Sequence, residues 1–212
     1  VINKDIFEKN NHLLQEMLSF LTGDYWEIHF RERELTQLEI SHRDRKVKSY
    51  ENVKDYNQVC MFSGGLDSFI GVIDLLESCE EKSTLFVSHY GGGKGTKEYQ
   101  DYLKVKFIEQ YGLEERDFCQ FYAKVVGGIE DTTRSRSFMF FSHAVVLASA
   151  LGKPVDIIIP ENGLISLNIP STLSRIGTSS TRTTHPYYMG LFQKLLSNLG
   201  IEITFKNPYQ FK

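Results

Sequence analysis

From Gln58 onward, short apolar runs alternate with longer helix-like stretches, and this rhythm constrains the fold more than any other feature of the chain. The runs Gln58–Phe62, Thr84–His89, Phe121–Val126, Val155–Ile159 and Ile201–Phe205 have strand length. The stretches Ser68–Leu76, Glu98–Gln110, Ser137–Ala150 and Pro186–Asn198 between them have helix length. Strands that are apolar on nearly every residue must be covered on both faces, so the pattern predicts an α/β fold with a doubly wound parallel sheet. Gly112, Gly152 and Gly200 stand where helix C-caps are expected. In such sheets ligands gather outside the carboxyl ends of the strands. Four segments follow strands in this way: 63–68, 89–95, 127–136 and 160–163.

Residues 1–57 read as a small N-terminal α+β appendage to a unit spanning 58–212. An amphipathic helix is expected at Asp5–Leu21, with Ile6, Leu13, Leu14, Met17, Leu18 and Leu21 on one face and Gly23 ending it. A strand pair, Tyr25–Arg31 and Leu35–Ile40, is expected to follow. The 212 residues suffice for one substantial core. A net charge of −3 argues against general affinity for nucleic acid. The mixed-sign stretch Arg31–Lys48 reads as a solvated face rather than an RNA-binding patch. Cys60, Cys79 and Cys119 are too scattered for a disulfide framework or a CxxC clamp, which points to a reducing cytoplasm. No signal-peptide pattern opens the chain. Its longest apolar run, Phe138–Leu151, is broken by Ser142, His143 and Ser149 and is too short to span a bilayer, so no membrane partner is expected. A start at Val1 and an end at Lys212 without a terminal helix read as an excerpt, truncated at its C-terminus.

The segment after the first run, Phe62-Ser63-Gly64-Gly65-Leu66-Asp67-Ser68, carries most of the functional information. Two adjacent glycines let the backbone approach an anion and turn where a Cβ would forbid it, and the following helix N-terminus offers unpaired N–H groups. Ser63 and Ser68 add hydroxyls. Asp67 is repulsive beside phosphate unless it holds Mg²⁺ or caps the helix, so the loop suggests Mg-ATP, with Asp67 and Ser63 as catalytic candidates. This is not a Walker A loop, because neither its four-residue glycine spacing nor its Gly-Lys-Ser/Thr is present.

Other constellations have two readings each. Gly91–Gly95 either cradles substrate, with Lys94 or Lys97 placed to stabilise pyrophosphate, or is a plain connector. His89 is a minor candidate for ribose or adenine. Arg136 either grips a carboxylate or phosphate in a bidentate contact or is a surface residue of a helix capped by Ser135 or Ser137, while His143 reads as a core residue. Glu161 and Asn162, after VDIII, place a carboxylate and an amide where a purine-like ligand is readable, or form a turn. Arg182 and His185 sit in a hydroxyl-rich loop that either closes on substrate or merely leads into the helix opened by Pro186.

The string Ser63–Ser68 resembles the SGGxDS pyrophosphate loop of the N-type ATP pyrophosphatases, the PP-loop superfamily. Together with TRSRSFMFF, PENGLISLN and STRTTHP it resembles the 7-cyano-7-deazaguanine synthases (QueC), and more closely the QueC-like branch of bacterial anti-phage Qat operons. The resemblance covers roughly 58–212. It implies a Rossmann-like, adenine nucleotide alpha hydrolase-type fold, with ATP and Mg²⁺ as cofactors. It also implies a loop that grips the β and γ phosphates, so that a carboxylate attacks the α-phosphorus to give an adenylate and pyrophosphate. The implied substrate is a 7-deazaguanine derivative, and the implied partner is a protein of the same defence operon. Two departures stand out. The zinc-binding cysteines of the family follow the region where this chain ends, so zinc would need residues beyond it and no zinc ligands are assigned here. Phe69 replaces the family Thr after the loop, and the substrate-reading residues after Pro160 are not reproduced. A non-catalytic ATP-binding subunit of a defence complex and a PP-loop RNA-modifying enzyme are the alternatives. The acidic charge and lack of CxxC weigh against thiolation.

Overall fold

A computed structural model describes residues 3–44, 54–78, 83–91, 95–124, 126, 127, 135–166 and 182–210. Three helices come first: α1 (Lys4–Lys9), α2 (Asn11–Thr22) and α3 (Gln37–Asp44). The alternating part follows as β1 (Gln58–Met61), α4 (Leu66–Glu77), β2 (Thr84–Tyr90), α5 (Thr96–Tyr111), β3 (Phe118–Tyr122), α6 (Arg136–Ala150), β4 (Val155–Ile158), α7 (Gly163–Ser166), α8 (Pro186–Asn198) and β5 (Ile203–Lys206). The five strands form one parallel sheet in the order β3-β2-β1-β4-β5. This is the α/β architecture expected, and the order is that of Rossmann-like folds.

Strand side chains alternate between faces, which produces two cores. Val59, Met61, Leu85, Val87, Ile157 and Ile203 meet α2, α6 and α8 on one face. Cys60, Phe62, Phe86 and Ile158 meet Val72 of α4 and Phe107 of α5 on the other. The chain winds one way from β1 to β3, then crosses back so that β4 pairs with β1. The reversal opens a crevice between the carboxyl ends of β1 and β4.

The N-terminal part corrects three expectations. The helix expected at Asp5–Leu21 is divided at Asn10, whose Nδ2 donates to the Ile6 carbonyl at 2.8 Å and diverts it from the helical ladder. Gly23 ends α2 as expected, left-handed at φ 77°, its N–H donating to Ser19 O. The strand pair does not form: residues 25–36 are irregular and Gln37–Asp44 is helical. Thr36 Oγ1 accepts from the Glu39 N–H while the Glu39 carboxylate accepts from the Thr36 N–H, a reciprocal cap that favours a helix here. Arg33 holds the same carboxylate with two bonds of 2.9 Å. Among the described residues of 1–57 there is no strand, so the appendage is helical and irregular rather than α+β. It is also continuous with the main core, because Leu13, Met17, Leu18 and Leu21 of α2 share a cluster with Tyr188, Phe192 and Leu195 of α8.

The third strand starts earlier than the expected Phe121–Val126. Phe118 pairs with Phe86 and Tyr122 with Tyr90. The buried Asp117 fixes this start, accepting from Lys54 Nζ at 2.7 and 2.8 Å, from Tyr56 Oη at 2.9 Å and from the Glu114 N–H at 2.9 Å.

Candidate functional site

Two of the segments picked out by sequence, the Ser63–Ser68 loop after β1 and Pro160–Gly163 after β4, flank the topological crevice. The loop is held from within. Ser68 is buried, and its Oγ accepts from the Gly64 N–H and from Ser63 Oγ, both at 3.1 Å, while donating to Gly65 O at 2.9 Å. Ser63 Oγ in turn accepts from the Gly65 N–H at 3.3 Å. Ser68 therefore shapes the loop rather than presenting a free hydroxyl. Gly64 has φ 84°, which an L side chain rarely adopts. The N-cap of α4 is Gly65, which brings no capping side chain. The N–H groups of Leu66, Asp67 and Ser68, with no carbonyl one turn before them, point out of the helix mouth as an anion site requires. Phe62 has its side chain in the core, edge-on to Phe107 and Phe118, so its place near a nucleotide is through backbone alone.

Asp67 and Glu161 come together across the crevice. Their carboxyl groups are within hydrogen-bonding reach, and the Asn162 N–H donates to Asp67 Oδ2 at 3.4 Å. Burial first, and then the charge of Asp67, push the Glu161 carboxyl up to about 7. The approach depends on Gly71 of α4, where an added Cβ would lie 2.3 and 2.6 Å from the ring of Pro160. The turn at 160–166 is clamped from its other side. Asn207 Nδ2 donates to Glu161 O at 2.9 Å, Tyr209 Oη donates to Asp74 of α4 at 2.5 Å, and the carbonyls of Tyr209 and Gln210 cover Gly163.

Mg²⁺ is commonly held by one or two carboxylates together with substrate phosphates and water. Asp67 and Glu161 fit that donor set, placed beside the glycine-rich loop at the N-terminus of α4. Among the described residues no group of three or more His, Cys, Asp or Glu side chains could hold a metal by itself.

The remaining candidates are dispersed. Arg136 is exposed in the first turn of α6, at the carboxyl edge of the sheet as expected, and Ser135 precedes it without a side-chain cap. Arg182 faces α2, donating to Phe20 O at 2.8 Å with its guanidinium 5.2 Å from the Phe20 ring. His185 caps α8, its Nδ1 accepting from the Tyr187 N–H at 3.1 Å, and burial and then Arg182 lower its pKa. Both serve the junction with α2, and neither is seen at the loop. Lys97 is paired with Asp101 and lies over the Tyr90 ring. His89 is buried, with Nε2 bonded to Ala123 O and its ring stacked on His143. Lys94 lies outside the described residues, as do residues 178–181 of the hydroxyl-rich loop.

Sequence reasoning missed Gln100. This buried residue of α5 donates from Nε2 to Ser63 O at 2.9 Å and to His89 O at 3.0 Å. No local pattern marks it, since a lone Gln in a helix is usually solvated. A depression of roughly 580 Å³ lies at the opposite edge, by the amino ends of β4 and β5, lined by Asn57, Asp156, Gln193 and Glu202. Its chemistry is unrelated to the loop. No protein family, curated protein or solved structure matches the chain.

Proposed function

We propose that this chain is a PP-loop, AMP-forming ATP pyrophosphatase of the QueC-like kind, which adenylates a carboxylate with release of pyrophosphate. The observation that carries the reading is the meeting of an uncapped, glycine-rich helix mouth with the Asp67–Glu161 pair at the crevice where parallel sheets bind ligands. The amides of Leu66, Asp67 and Ser68 would receive the β and γ phosphates and leave the α-phosphorus open to attack. Asp67 and Glu161 would hold Mg²⁺, which when bound offsets the phosphate charge and assists departure of pyrophosphate. Arg136, at the same sheet edge, would hold the carboxylate substrate or a phosphate. The substrate proposed is a 7-deazaguanine derivative, handed to a protein partner in anti-phage defence in the cytoplasm.

The test is single-turnover formation of AMP and pyrophosphate from ATP with 7-carboxy-7-deazaguanine and ammonia. Asp67→Asn keeps the shape of the loop but removes a charge, so it is expected to slow AMP formation by on the order of 10²-fold or more, with a much smaller loss of ATP binding. ATP binding by the wild type with no AMP would instead favour the passive ATP-binding subunit.

A further inference from the structure

We infer that Gln100 is the positioning residue of the phosphate loop, an inference that rests on the proposed nucleotide site and deepens it. Its amide ties together the carboxyl ends of two neighbouring strands, giving one N–H to Ser63 O after β1 and the other to His89 O in β2. Its orientation is fixed on both sides. Both partners are carbonyl acceptors, so the side chain can meet them only through its NH₂ end, and Oε1 receives a 3.0 Å bond from Gln120 Nε2, which also reaches Asp101 Oδ1. Asp101 is in turn paired with Lys97, so the restraint runs from the loop through β3 to the outer turn of α5.

The contact is close as well as directional. A Cβ on Gly64 would lie 2.9 Å from Gln100 Cγ, so the loop backbone rests on this side chain at the position where it turns left-handed. A loop that must present several N–H groups to phosphate gains affinity when it does not have to be ordered on binding. Gln100 supplies that order from beneath, without reaching the ligand itself. Glutamate in its place has the same shape but would aim a carboxylate at two carbonyls, and methionine keeps the bulk without either donor.

Gln100→Met and Gln100→Glu are therefore compared with wild type for Mg-ATP affinity by calorimetry and, without ligand, for amide hydrogen exchange at 63–68 and in β1 and β2. With one or two buried hydrogen bonds lost, Mg-ATP should bind about tenfold more weakly or worse, and the Gly64 and Gly65 amides should exchange correspondingly faster while the strands keep their protection. A purely structural role would instead lower protection everywhere and leave the affinity of the folded fraction unchanged. That result, or wild-type affinity and loop protection in Gln100→Met, overturns the inference. If neither variant folds, Gln100→Asn decides in the same way, since it keeps the amide but is one methylene too short to reach both carbonyls. Failure of the wild type to bind Mg-ATP would count against the nucleotide site, whereas loop exchange in the unligated protein tests Gln100 independently.

Discussion

Glu161 is a carboxyl kept neutral by its surroundings, and this gives the unligated protein a definite pH dependence. The unfolded carboxyl ionises near 4.5 and the folded one near 7. The stability that the neutral group contributes is fully present below the lower value and lost as pH rises through the upper. A gap of that size is worth on the order of 3 kcal/mol. Urea unfolding at pH 5 and pH 8 with chelator present should show this loss in wild type, and Glu161→Gln should flatten it. Added Mg²⁺ should restore stability at pH 8 in wild type but not in Asp67→Asn, because a cation offsets the repulsion between two ionised carboxylates and the variant keeps only one. Arg136 supports a second expectation. If its fork grips a carboxylate or phosphate, Arg136→Lys retains the charge yet should lose roughly 1.5–3 kcal/mol of transition-state binding, read as kcat/KM. Unchanged turnover in that variant and in Arg136→Ala would return the residue to the surface of α6.

At the scale of elements, the site depends on how closely α4 lies against the turn after β4. Gly71→Ala should cost about 1–3 kcal/mol by overpacking against Pro160, and by moving α4 it should also weaken the Asp67–Glu161 contact. Denaturant unfolding would measure the first effect, and loss of the Mg²⁺-dependent stabilisation the second. Much of this level was legible in the sequence. The glycines at 112, 152 and 200 end their helices or turns with φ between 66° and 72°, and Pro186 opens α8 where it was expected to. The expected strand Tyr25–Arg31 did not form, because Trp26 and Ile28 pack on the core from an irregular segment, with Trp26 Nε1 donating to Thr22 Oγ1. Thr36-Gln37-Leu38-Glu39 carried the capping signal of α3 and outweighed the strand-like residues around it. The Asp67–Glu161 pair was readable only as two residues after two strands, since what joins them is the order of the sheet. Gln100 was not readable at all, since its partners are backbone carbonyls far away in the chain.

At the scale of the molecule, α2 belongs to the main core rather than to a detachable unit. Met17 and Leu21 are wholly buried in it, and Arg182 ties the approach to α8 onto the end of α2. Met17→Ala should cost about 2–5 kcal/mol, measured by thermal or denaturant unfolding, and a chain beginning at residue 54 should fail to give a cooperative transition. The strand order has a consequence for how the protein is made. β1 lies at the centre of the sheet, yet one of its two neighbours, β4, is encoded almost a hundred residues later, Gln58 pairing with Asp156. On the ribosome, β1 to β3 emerge and pair while the other side of β1 still has nothing to bond to. Until Val155–Ile158 arrives, the central strand is an edge strand, apolar and without the charges or prolines that protect natural edges. Synthesis halted in that interval therefore leaves an exposed apolar edge, and the crevice beside the loop forms only when β4 arrives, with β5 still to follow.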